Sequence, residues 1–491
     1  MKFTGYLWVG MSTTFNIIAN AVTFGWFIWL EGRLRGGSFR NWARRYRYEP
    51  KRSESPTTEE ELVEIVKRSS KVRVFGSGHS FNTGIRVDGT LVTLDKYNRV
   101  LSFDREEKQL TVQAGMRVRD VVSALKERGL AFSALPSHDA QSIAGIISTD
   151  VHGTGRDWGF VNESVVRLKL LDGKGVLHEC VPTDDLFKAA IGGIGAVGII
   201  IEVTLQAVDR FRVHQKVKIR KLSEVKTELN DLLQTHEHFS LYLFPFTKYC
   251  QVNTWDRVES SKSLLAPLRE WWSISMDAFT VVWVGNLIAY LGLSRMLSNV
   301  AHRFKKGTSL VMESNRAFNR TIYHLHQELE FTVPFERTWE ACDAFLELYQ
   351  DMYMTRALPY VLLEVRFTPG GVDRSLLGAG AVQRSTWIDL VSNDSEGFRR
   401  YYDAAELKLM ELGARPHLGK WCKTLDAAYM ARVHGERYTR FRRLANKHDP
   451  AGKFENEFTR RVLGSGPSSA HPTRGGPTPD GANAAGAMGT A

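Results

Sequence analysis

The stretch Val74-Phe75-Gly76-Ser77-Gly78-His79-Ser80-Phe81-Asn82 constrains this chain more than any other. It follows a β-rich run, Lys71 to Phe75, and places two glycines, two serines and a histidine in five consecutive positions. Glycines after a strand permit positive φ and let successive N–H groups converge on an anion. A diphosphate suits such a turn. The stretch lacks the third glycine and following helix of the Rossmann fingerprint, and it lacks the Gly-Lys-Ser/Thr ending of a P-loop. Taken alone, it is most often a plain turn after a strand.

Two further clusters change that reading. Ser142 to Gly155 repeats the small-residue chemistry and ends in His152-Gly153-Thr154-Gly155; Gly192 to Ile200 does so again with four glycines. Three small-residue loops, each joined to an apolar β-branched run, fit a long cofactor threaded between backbone segments. In this combination the chain resembles the FAD-binding domain of the vanillyl-alcohol-oxidase-type flavoproteins. The Gly-Ser-Gly-His-Ser-Phe and His-Gly-Thr-Gly pair is most similar to their sugar-1,4-lactone and alditol oxidase branch. The resemblance implies FAD held by Gly76, Ser77, Gly78, His79, Ser80, Phe81, Ser137, Ser142, Gly145, Thr149, His152, Gly153 and Ile200. It also implies a covalent bond from His79 to the flavin.

At 491 residues the chain exceeds one typical core, so two domains plus extras are expected. The four cysteines, Cys180, Cys250, Cys342 and Cys422, are scattered without a paired or metal-ligand spacing, which argues against a disulfide framework or a zinc site. The net charge of +11 is concentrated after an apolar segment, where Arg33, Arg35, Arg40, Arg44, Arg45, Arg47, Lys51 and Arg52 crowd together. That placement fits a membrane surface, and no nucleic-acid-binding signature accompanies it.

Tyr6 to Leu30 is uncharged and long enough to span a bilayer, with Trp8, Trp26 and Trp29 near its ends and Asn16 and Asn20 against it. A membrane anchor with a cytoplasmic body is the expectation, by the positive-inside rule. The boundaries predicted are an anchor and basic collar over 1–52, an FAD-binding domain over 53–209, a cap domain over 210–463 returning to the flavin, and a disordered tail over 464–491. The fold class is α+β: a two-subdomain FAD-binding domain, an α+β cap, and an N-terminal membrane helix. Within it, Thr57 with Glu60 reads as a capping box opening a helix. The hydrophobic run Met276 to Leu293 is expected to dip into a membrane interface or to cover the cap, with a core helix as the alternative.

The chemistry is expected on two later stretches. In Leu362-Leu363-Glu364-Val365-Arg366-Phe367, Glu364 and Arg366 share one face of a strand, with Cα atoms roughly 6.6 Å apart. An internal ion pair would give the same pattern. In Arg415-Pro416-His417-Leu418-Gly419-Lys420-Trp421, an irregular turn presents a histidine and an ammonium. Both stretches resemble motifs of the sugar-lactone oxidase branch, as does Asp449-Pro450 to Asn456. The resemblance implies that Glu364, Arg366 and His417 contact a sugar, that Lys420 serves both flavin and catalysis, and that Leu418 stands where relatives often carry tryptophan. The expected reaction is oxidation of a sugar lactone or alditol, with oxygen or another carrier as electron acceptor. The rivals are a lipid-linked sugar as substrate, suggested by the apolar segments, and a tethered scaffold without turnover.

Overall fold

The computed structural model of the chain describes residues 39–279, 307–318, 326–353, 361–371, 373–380, 382–392 and 396–466, with positions 7, 10, 11, 14, 15, 18 and 19 and part of 283–296. Most of the apolar stretch 6–30 and the tail beyond Gly466 lie outside the described residues, so the expected spanning helix and disordered tail do as well. Among the described residues no helix is long and apolar enough to cross a membrane.

The first core joins two sheets. Arg52–Glu54, Thr90–Thr93 and Val72–Phe75 form a parallel sheet with Thr90–Thr93 central. Helix Glu59–Arg68 buries Leu62, Ile65 and Val66, the apolar stripe of its sequence. Its cap lies one residue later than the Thr57–Glu60 spacing suggests. The Thr58 side chain accepts the Glu61 N–H, and the Glu61 carboxylate accepts the Thr57 N–H at 2.6 Å. The second sheet is antiparallel, in the order Leu177–Cys180, Val165–Leu171, Ile199–Gln206, Gln109–Gln113, Val100–Asp104. No helix follows the Gly76–Gly78 turn, which separates it from a Rossmann unit.

Two segments outside the expected 53–209 domain pack onto this unit. Residues 39–48 form a small hairpin, Phe39–Arg40 against Arg47–Tyr48, clamped to the first glycine loop. The Trp42 N–H donates to Gly78 O at 2.7 Å and the Tyr48 hydroxyl to Asn82 O at 3.0 Å. Part of the basic collar is therefore packed behind the first glycine loop. From the other end, Tyr429, Met430, Phe441, Phe454, Phe458 and Val462 are buried in the same core, which is the expected C-terminal return.

The cap is an eight-stranded antiparallel sheet. Its order is Thr308–Glu313, Arg212–Lys221, Tyr249–Arg257, His238–Leu243, Val361–Thr368, Ser385–Ser392, Gln327–Pro334, Arg415–Pro416. Helices Leu222–Thr235, Thr338–Tyr353 and Glu396–Glu411 share one core with it, where Leu329, Phe331, Leu363, Val365, Phe367, Ile388 and Leu390 are buried. Period-two alternation sends the polar residues between them to the opposite face. Helix Ala266–Phe279, at the start of the expected interfacial run, packs against the edge strand Thr308–Glu313 on the cavity side.

Candidate active site

A cavity of about 1330 Å³ lies between the three glycine loops and the polar face of the cap sheet. Glu364 and Arg366 both line it, while Val365 and Phe367 face the core, as the strand alternation predicts. The sheet register then does what no single strand can. It sets Glu364 opposite Asp389, and Asp389 opposite Glu330. Three carboxylates abreast repel unless cations lie among them.

Two cations do. Arg366 Nη2 donates to Glu330 Oε1 at 2.6 Å and lies 3.5 Å from Asp389 Oδ2, with Nε 3.9 Å from Glu364. Lys420 Nζ donates to Glu328 and to Asp389 Oδ2 (3.0 Å), and lies 3.3 Å from Glu330 Oε2. The lysine owes its position to its loop. Arg415–Pro416 pairs with strand Gln327–Pro334, the His417 N–H donates to Glu330 O, and the Trp421 N–H donates to Glu328 O. The Asn82 amide, from the first glycine loop, donates to Leu418 O at 2.7 Å and Lys420 O at 2.9 Å. Leu418 lines the cavity and is buried in the flavin-domain core.

Burial and charge set the protonation states. Burial disfavours charge on Lys420, but Asp389, Glu328 and Glu330 outweigh it and raise its pKa. Arg366 is raised likewise, by Glu330 and Glu364 against burial. Glu330 is buried, yet Lys420, Arg366 and His152 hold it well below the usual carboxylate range. Asp389 is driven the other way, well above that range, by burial and by Glu328. The cluster thus combines fixed cations, two acidic carboxylates, Glu328 and Glu330, and one carboxyl that resists ionisation.

The histidines stay neutral. His152 donates from Nε2 to Glu330 at 3.0 Å and stacks on Trp387 with centroids 3.7 Å apart; burial pushes it down to about 4. His417 is pushed down to about 3 by burial, and its Nδ1 accepts the Gly419 N–H at 3.1 Å. Burial, then Arg117, pushes His79 down to about 4. Its Nδ1 lies 3.0 Å from Ser77 Oγ, while its Nε2 is buried with no hydrogen-bond partner. Trp42 stacks on its ring at 5.6 Å and His138 meets it edge-on at 5.1 Å.

Gly76 to Phe81, Ser137, Ser142, Gly145, Thr149, His152 and Ile200 all line the cavity. Gly153 does not: its N–H donates to Gly159 O at 2.7 Å, and it stands behind the wall. Sequence reasoning missed Glu328, Glu330 and Asp389, although each sits on an alternating strand like that of Glu364. It also missed Arg73, buried on strand Val72–Phe75, which donates to Gly84 O (2.9 Å), Ile194 O (2.7 Å) and Phe454 O (3.0 Å) and so ties three loops together. Away from the cavity the fold brings Asp172, His178 and His448 together, with donor atoms within 4.8 Å, a grouping that no sequence spacing announces.

The residues fit a flavin nucleotide. The glycine loops approach closely, since a Cβ on Gly76 would come within 2.5 Å of Ser142 Oγ, and two buried ring nitrogens, His79 Nε2 and His138 Nε2, face the cavity unpartnered. The FAD-binding-domain family matches residues 50–181, and the D-arabinono-1,4-lactone oxidase family matches residues 203–462. The chain belongs to the D-arabinono-1,4-lactone oxidase family. The cofactor of its cavity is FAD. L-gulono-1,4-lactone dehydrogenase of Mycobacterium tuberculosis is 28% identical over 421 residues, covering 83% of this chain and 95% of that one. L-gulonolactone oxidase of Bos taurus is 29% identical over 451 residues, covering 87% and 99%. A cholesterol oxidase from B. sterolicum superposes with a TM-score of 0.67 at 15% identity, over 87% of this chain and 96% of that one, and shares the fold.

Proposed function

We propose that the chain is an FAD-dependent oxidoreductase that oxidises the carbinol of an aldono-1,4-lactone. The observation that carries this is the Glu364–Arg366 pair, set into the same cavity as the glycine loops and flanked by Lys420. The curated relatives are named for lactones, which favours a lactone over an alditol or a lipid-linked sugar. Bound FAD supplies the two-electron acceptor for the carbinol hydride.

The chain's own groups do the rest. Arg366 presents a fixed cation to the substrate oxygen, held in place by Glu330 and Asp389. Glu364 binds a hydroxyl and takes its proton, because Glu330 is held too acidic to do so. Lys420 remains an ammonium and stabilises negative charge developing beside it. Asp389, held well above the usual carboxylate range by burial and by Glu328, accepts from Lys420 and lies beside Arg366, orienting both. His79 offers a neutral, buried Nε2 for a covalent bond to the flavin, with Nδ1 oriented by Ser77. A cytoplasmic body on a membrane is part of the same proposal, supported by the basic residues that follow the apolar N-terminal stretch.

The test is anaerobic bleaching of the flavin absorbance by a panel of aldono-1,4-lactones and alditols. Lactones bleach the wild type, and Glu364→Ala slows bleaching by about 10²-fold or more while keeping bound flavin. Near-normal bleaching in that variant, or bleaching by alditols alone, refutes the assignment.

A further inference from the structure

The described residues carry nineteen exposed large hydrophobic side chains, and fourteen of them fall in just two segments, 7–18 and 264–296. In the first, Leu7, Met11, Phe15 and Ile18 recur at helical spacing and point outward, Phe15 being 58% exposed. Gly10 and Thr14 lie on the other side of that helix, against Trp283: the Trp283 indole N–H donates to Thr14 Oγ1 at 2.9 Å, and a Cβ on Gly10 would strike its ring. In the second, Leu268, Trp272 and Met276 form an outward stripe along helix Ala266–Phe279, preceded by Leu265 and continued by Val284, Leu287 and Leu291. A helix facing water presents polar groups outward; these two do the reverse.

The same stripe borders the cavity. Leu268, Trp272, Met276 and Val284 are exposed on the platform and also line the cavity wall, and beyond them lie Ile219, Phe244 and Leu310. A lactone bearing hydroxyls has no use for such a wall.

We propose that this platform lies in the surface of an anionic bilayer and that the apolar arm of the cavity admits a lipid-dissolved quinone, which reoxidises the flavin. The bilayer is chosen by charge as well as by apolar surface. Exposed Arg269 lies within the stripe and exposed Arg295 beyond its end, and eight basic residues fall between 33 and 52, after the first segment. The balance closes: the lactone gives up two electrons and two protons, and the quinone takes two of each to become a hydroquinone. The inference rests on the lactone-oxidising reading only for the source of those electrons.

The experiment uses the full chain with phosphatidylcholine–phosphatidylglycerol vesicles loaded with decylubiquinone. Wild-type protein floats with the vesicles, and its flavin, reduced anaerobically by lactone or by dithionite, is reoxidised by the quinone. The platform triple variant Leu264→Glu, Leu287→Glu, Leu291→Glu no longer floats, yet lactone bleaches it at the wild-type rate. Trp272→Glu, at the cavity mouth, slows quinone reoxidation by about tenfold and leaves reoxidation by a water-soluble dye unchanged. The proposal is overturned if wild-type protein stays with the soluble fraction, if it sediments as a self-associated species instead of floating, or if quinone reoxidation is indifferent to Trp272→Glu. Dithionite reduction keeps the quinone arm readable even where no lactone bleaches the flavin, so the two readings fail separately.

Discussion

Arg366 Nη2 lies 2.6 Å from Glu330 Oε1, and the same oxygen accepts His152 Nε2 at 3.0 Å. One buried carboxylate oxygen therefore fixes both the cavity-lining guanidinium and the histidine of the His-Gly-Thr-Gly loop, 178 residues earlier in the chain. Glu330→Gln keeps the shape and removes the charge that holds Arg366. The expected result is a fall in kcat/KM of about 10²-fold, or ~2.7 kcal/mol, with the flavin spectrum retained. Steady-state kinetics beside an absorbance spectrum check it; unchanged kcat/KM would show that Arg366 is positioned without Glu330.

His79 Nε2 is buried and unpartnered, the atom free to bond the flavin. His79→Ala should release all flavin into the supernatant on acid precipitation, whereas the wild type keeps it in the pellet. Turnover should fall on the order of tenfold, ~1.4 kcal/mol of barrier, and recover in part with added FAD. Flavin that stays in the pellet of the variant would assign the bond elsewhere.

Gly78 has φ +72°, and a Cβ there would sit 2.9 Å from Arg40 O, in the hairpin clamped to the loop. Gly78→Ala combines left-handed backbone strain, about 1–2 kcal/mol, with that collision. It should lower the flavin content of purified protein several-fold. Gly129→Ala is the control, because Gly129 has φ +76° with nothing within 4 Å of an added Cβ. It should lose stability to a similar degree while keeping its flavin, as thermal melts and flavin-to-protein absorbance ratios will read.

Much of this site is legible in the chain because local patterns fix it. Alternation along Leu362 to Phe367 places Glu364 and Arg366 together whatever the sheet order, and glycine spacing marks the loops that approach a cofactor. Glu328, Glu330 and Asp389 carry the same alternating signal, in His326-Gln327-Glu328-Leu329-Glu330-Phe331 and Trp387-Ile388-Asp389-Leu390, so the pattern was present and unread. What no local pattern contains is register. Only the pairing of three strands distant in sequence puts Glu364, Asp389 and Glu330 abreast. The packing of the collar is not legible for a different reason: its arginines dominate the sequence there, while the contacts that join it to the first glycine loop are the Trp42 ring on His79 and the Trp42 N–H on Gly78. Gly153, which the resemblance places on the cofactor, has its amide spent on Gly159.

Asp150 gives the fold a pH dependence separate from the catalytic cluster. It has φ +55°, its Oδ1 accepts the Asn162 amide, and its Oδ2 is buried with no hydrogen-bond partner. Burial raises it from 3.8 to about 7. Between those values the folded protein holds a proton that the unfolded chain has released, so raising the pH draws the equilibrium toward the unfolded state. The contribution is fully favourable below about pH 4 and is lost as pH rises through about 7. Asp150→Asn cannot ionise and accepts the same Asn162 bond. Its stability relative to wild type should therefore improve by ~3 kcal/mol, in order of magnitude, from pH 5 to pH 8. Urea denaturation followed by tryptophan fluorescence at the two pH values measures the difference. A variant whose advantage does not grow with pH would mean that Asp150 is ionised in the folded protein, its charge met by Arg437 rather than suppressed by burial.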